Sequence, residues 1–183
     1  MTLLDIIQPD NPTLRKKAIK VTSFDKKLQT LIDDMVETMI EAPGVGLAAP
    51  QVAQSKRLIV VRLPDNEEDD ETYGEDAGQL YVVANPKIIK ASKETVMGVE
   101  ACLSIPGYFG EVERHESVVV TGQDREGKKM RVKANGWLAR VFQHEIDHLD
   151  GILFTDLAEQ VWHASEMEQS EAVEDAQPEG APE

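Results

Sequence analysis

The stretch VFQHEIDHLDG, residues 141–151, holds two histidines four apart, with a glutamate directly after the first. Residues i and i+4 of a helix point the same way, so His144 and His148 can offer two imidazoles to one metal ion. Glu145 lies about 100° further round the axis, where it can reach a water on the ion without ligating the ion itself. Two imidazoles are only part of a catalytic centre, which takes a third protein ligand and keeps a fourth position open. Three sources compete for that place. An extended zinc-protease pattern needs another histidine three residues after Gly151, but Phe154 stands there. A thermolysin-like pattern would use Glu168, which lies in an acidic stretch with no apolar helix to fix it. Cys102, in GVEACLSIPG at the close of a strand-like segment, offers a thiolate, a strong ligand for iron, zinc or nickel. A lone cysteine is usually a small buried hydrophobe, so the ligand reading needs independent support.

A further stretch, GVGLAAPQ (residues 44–51), combines two glycines that let backbone approach a ligand with a small apolar run and the side-chain amide of Gln51. Taken alone it is a glycine-rich loop after a helix. Taken in order, GVGLAAPQ, EACLS and QHEIDHLDG resemble the three signature motifs of the peptide deformylases. The opening NPTLRKKA and the helical segment at 24–41 resemble that family too, and the likeness extends over roughly residues 3–157.

The resemblance implies a metal set of Cys102, His144 and His148. It implies one divalent ion, ferrous iron in many bacterial members, with zinc or nickel as substitutes. The implied reaction removes the formyl group from the N-terminal methionine of a nascent chain and releases formate. Glu145 would accept a proton from water and pass it to the departing amine. The Gln51 amide and the backbone N–H of Leu103 would meet the charge growing on the formyl oxygen. The substrate backbone would add a strand to the loop that holds Gly46. Val45, Leu138 and Phe142 are candidates for lining the methionine pocket, with core packing as their alternative role. One departure is Ala101, where the family's second motif usually has glycine; the expectation is altered substrate affinity with the chemistry retained. Two rival readings are a zinc peptidase using Glu168 and a non-catalytic metal-binding adaptor.

The elements that must position these residues can be read from periodicity. FDKKLQTLIDDMVETMIE (24–41) places Leu28, Leu31, Ile32, Met35, Val36, Met39 and Ile40 on one stripe, which predicts an amphipathic helix stopped by Pro43 and Gly44. RLIVVRL (57–63) and LYVVANPKII (80–89) read as strands, and 116–134 as a hairpin turning at DREGK. A second helix starts near Gly136, carries Trp137, Leu138, Val141, Phe142, His144, His148 and Leu149, and ends at Gly151. The expected fold class is α+β, with antiparallel sheets packed around a late metal-binding helix and an amphipathic helix near the N-terminus.

At 183 residues the chain suits one domain with a sizeable core. The expected division is a catalytic domain at 1–162, with an acidic loop insertion at 65–79, and an acidic, flexible tail at 163–183. The formal charge of −15 is concentrated. Residues 65–76 carry 8 acids and residues 163–183 carry 7, with no Lys or Arg in either; removing them leaves 19 acids against 19 bases. Neither segment offers a basic patch, which argues against direct nucleic-acid binding. Some bacterial deformylases reach the ribosome through a basic C-terminal helix, and the acidic tail here predicts no such docking. No apolar run approaches the roughly 18 residues needed to span a bilayer. The charges at the N-terminus follow its apolar patch, the reverse of a secretory signal, so the expected compartment is the cytoplasm, with no membrane partner.

Overall fold

The structure is a computed structural model that describes residues 2–65 and 73–166. The first helix, α1 (Lys26–Glu41), starts where the Asp25 carboxylate accepts the Leu28 N–H at 3.0 Å, a side-chain N-cap. It buries Leu28, Ile32, Met35 and Met39. The predicted stripe is too wide by one position, since Ile40 is 48% exposed.

Strands β1 (Gly46–Ala48), β2 (Leu58–Arg62), β3 (Leu80–Ala91), β6 (Ser117–Gln123) and β7 (Lys129–Asn135) form one antiparallel sheet in the order β1-β2-β3-β6-β7. Alternation divides its faces. Leu58, Val60 and Ala84 pack beneath α1, whereas Ile59, Val61, Val83, Val118, Val120 and Ala134 face the opposite way. That second face receives helix α2 (Gly136–Asp150) through Leu138, Ala139, Phe142 and Leu149. The predicted strands and hairpin are all present, with the turn at 124–128 between β6 and β7.

A second antiparallel sheet, β4-β5-β8, comprises β4 (Thr95–Cys102), β5 (Ile105–His115) and β8 (Gln160–His163). Sequence periodicity captured only the end of β4 and none of β8. Short helix α3 (Phe154–Leu157) packs Phe154 against Cys102, Ile105 and Val112. At the expected domain boundary, His163 still belongs to β8 and pairs with Tyr108. The tail from 167 onward and the acidic loop at 66–72 lie outside the described residues, as does Glu168. No helix among the described residues is long and apolar enough to cross a membrane.

The N-terminal stretch fixes the far end of α2. Ala18 N–H donates to the Leu149 carbonyl at 2.8 Å, and Arg57 bonds both that carbonyl and the Asp150 carboxylate. Gly151 ends the helix at φ 77°, as the sequence predicts. So α2 is held on one sheet while its other side faces β4 and β5.

Candidate active site

Three short segments from three parts of the chain meet at α2. Cys102 ends β4, His144 and His148 stand one turn apart on α2, and Gln51 closes a 3-10 turn (Ala49–Val52) after β1. The Cys102 sulfur and one nitrogen from each histidine lie within 4.8 Å of one another, and all three residues are buried. Cys102 Sγ and His148 Nε2 are 3.3 Å apart. Metal–sulfur and metal–nitrogen bonds of about 2.3 and 2.0–2.1 Å at a tetrahedral angle separate two ligands by about 3.5 Å, so the donor set fits a shared ion.

The second nitrogen of His144 is engaged: Nδ1 lies 2.8 Å from Glu100 Oε2. That contact fixes the ring and leaves Nε2 for the metal position, the usual support for a metal-binding histidine. Arg114 in turn holds Glu100 through two bonds, Nε to Oε1 at 2.8 Å and Nη2 to Oε2 at 3.0 Å. Burial would raise the Glu100 pKa, but hydrogen bonds from His144 and Arg114 and their charges outweigh it and bring it down to about 2. Glu100, Arg114 and Arg140 have no role in the sequence reading. The one sequence clue was Glu100 itself, two residues before Cys102 in EACLS.

Glu145 is 4% exposed, and its Oε2 has no partner among the described residues. Burial, partly opposed by the charge of His144, pushes its pKa up to about 7. The main chain at Gly46 runs directly against this carboxylate: a Cβ at Gly46 would lie 2.8 Å from Glu145 Cδ and Cγ. Gly46 is therefore required by the glutamate as well as by any ligand at the free edge of β1.

Gln51 is oriented by its oxygen. Ala48 N–H donates to Oε1 at 2.8 Å, so the NH₂ group faces the Cys102 sulfur at 3.5 Å and Ser104 Oγ at 3.3 Å. Leu103 follows Cys102 in the turn between β4 and β5 and lies against Gly44.

A cavity of about 690 Å³ opens over these groups, lined among others by Gly46, Gln51, Ala101, Cys102, Leu103, His144 and Glu145. Val45 lines it too. Leu138 and Phe142 do not; both are core residues at 1% and 0% exposure. The helix face presented to the cavity is turned by one residue from the predicted one and carries Trp137 and Val141. Tyr73, at the end of the acidic loop, joins the lining.

A cavity above a buried Cys/His/His set, with a high-pKa carboxylate beside it, suits hydrolysis of an amide. One family profile, that of polypeptide deformylase, matches residues 3–162. The chain belongs to the peptide deformylase family. Deformylases remove the N-terminal formyl group of nascent peptides with a divalent metal, and as one of them this protein is a hydrolase of N-formyl-methionyl peptides. A peptide deformylase of Symbiobacterium thermophilum is 48% identical over 188 residues, covering 99% of this chain and 82% of the relative. The crystal structure of the Thermotoga maritima deformylase superposes with a TM-score of 0.78 at 38% identity, covering 87% of this chain and 100% of that one. The Ehrlichia chaffeensis deformylase in complex with actinonin gives 0.80 at 38% identity, covering 96% of each chain. The α+β fold with antiparallel sheets around a late helix is thus the deformylase fold.

Proposed function

We propose that Cys102, His144 and His148 hold the divalent ion of this deformylase and that Glu145 moves the protons of the reaction. The observation that carries this reading is the convergence of one sulfur and two imidazole nitrogens within 4.8 Å beside a buried carboxylate. The mixed thiolate and imidazole set suits iron, zinc or nickel; ferrous iron is the proposed native metal, with the other two able to replace it. A divalent ion bound there supplies Lewis acidity, lowering the pKa of water and polarising the formyl carbonyl.

Every other part of the reaction falls to the chain. Glu145 takes a proton from the attacking water and delivers it to the amine as the C–N bond breaks, leaving formate and a free methionyl N-terminus. The Gln51 NH₂, aimed by the Ala48 bond, and the Leu103 N–H donate to the formyl oxygen as it gains charge. The substrate backbone lies extended against the free edge of β1 at Gly46. Ala101 lines the cavity next to Cys102, and its methyl, where relatives usually carry glycine, is expected to alter substrate affinity while leaving the catalytic groups in place. The substrates are formylated nascent peptides in the cytoplasm, with no membrane partner, no direct nucleic-acid binding and no docking through the acidic tail.

The test is formate release from N-formyl-Met-Ala-Ser by protein purified without oxygen, since a ferrous thiolate site is open to oxidation. Glu145→Gln should lower the rate by about 100-fold to 10,000-fold and retain its metal. Retained activity in that variant would remove Glu145 from the reaction.

A further inference from the structure

Arg140 stands one turn before His144 on α2, is 7% exposed, and lines the cavity. Its guanidinium reaches across to the second sheet. Nη2 donates to the Val96 carbonyl at 2.7 Å; Nη1 meets the Val112 carbonyl at 2.8 Å, Glu100 Oε1 at 3.0 Å and the Gly98 carbonyl at 3.4 Å. We propose that Arg140 is a positioning residue that sets the substrate wall of the cavity by tying β4 to the helix that carries the two histidines. This inference rests on the deformylase mechanism above and deepens it.

Charge balance does not explain the residue, because Arg114 already bonds both oxygens of Glu100. What Arg140 adds is its bonds to main-chain carbonyls of β4 and β5. Among the described residues β4 is an outer strand, paired with β5 alone. Its Val99, Ala101 and Cys102 line the cavity together with Trp137, Val141 and His144 of α2. Among the described residues, no other α2 side chain donates to a β4 carbonyl. Arg140 thus holds the β4 main chain at Val96 and Gly98, while the His144–Glu100 contact ties the same strand to α2 nearer the metal site.

The sequence makes room for it. At Gly98, a Cβ would lie 2.7 Å from both Cζ and Nη2 of Arg140, so any larger residue would push the fork aside. Arg140 Cζ also lies over the Trp137 ring, 6.0 Å from its centroid. A lysine could not replace the arginine, because an ammonium is a point charge with three donors, whereas the guanidinium is a planar fork with five.

The experiment compares metal-loaded wild type with Arg140→Lys and Gly98→Ala, using N-formyl-Met-Ala-Ser. Arg140→Lys keeps the charge; Gly98→Ala keeps the arginine but displaces it. Both should raise KM by about tenfold or more while kcat falls by no more than about threefold, the pattern of lost substrate binding and not of lost transition-state contact. Metal content should stay at the wild-type value, and amide hydrogen exchange across residues 96–101 should quicken. Unchanged KM in both variants, beside an active wild type, would overturn the inference. So would equal loss of metal and kcat, which would make Arg140 a support of the metal site. A wild type that releases no formate would contradict the proposed function itself.

Discussion

Single side chains here act through the contacts that hold them, and those contacts make distinct predictions. Gly46→Ala would force the Glu145 carboxylate away from its place, because the new methyl lies 2.8 Å from two of its carbons. The expected result is a fall in kcat of about 100-fold or more, with metal content and folding retained, measured by formate release and metal analysis. Glu100 makes a different prediction, about stability. Its folded pKa of about 2 lies below the ordinary 4.5. Its contribution is therefore complete above pH 4.5 and is lost as pH falls toward 2. Glu100→Gln should destabilise the protein by about 3–5 kcal/mol near neutral pH, and denaturant titrations should show that deficit closing as pH falls through this window. The Cys102, His144 and His148 cluster proposed to hold the metal, with Glu145 beside it, stands out in the sequence because its spacing is local or its chemistry is rare. Arg114 and Arg140 do not, because their partners sit 14 and 40 residues away and only the fold brings them together.

At the scale of elements, α2 carries most of the site, and both its ends are fixed from outside. Gly151 is left-handed at φ 77°, and a Cβ there would meet the Arg15 carbonyl at 2.7 Å. Gly151→Ala should cost about 2 kcal/mol or more, since the left-handed conformation alone costs about 1–2 and the collision adds to it. Thermal melts of the two proteins check this. Both helices could be read from their apolar stripes, β2 from a short continuous apolar run, and β3, β6 and β7 from strand-like runs bounded by turn residues. The β4-β5-β8 sheet was harder. β4 exposes Val96, Met97 and Val99 while burying Glu100, which reverses the usual pattern because the strand faces a cavity and an ion-pair cluster. The choice between pocket and core for Leu138 and Phe142, settled in favour of the core, has a similar cause. Leu138 and Phe142 differ by one position from Trp137 and Val141, about 100° on a helix, and only packing decides which of two apolar stripes meets the sheet.

For the whole molecule, the strong negative charge belongs to two segments and not to the catalytic core. The family profile ends at residue 162, just before the acidic tail. The acidic loop lies within the matched residues and the tail beyond them, and each of the two sheets brings an outer strand, β1 or β4, to the wall of the cavity beside α2. The account stands on one ion shared by residues from both sheets' territory. X-ray absorption at the zinc edge of the zinc-substituted protein tests this most directly. One ion per chain should appear, with one sulfur neighbour at about 2.3 Å and two nitrogens at about 2.0–2.1 Å, the sulfur disappearing in Cys102→Ser. A spectrum of nitrogen and oxygen neighbours alone in the wild-type protein would contradict it.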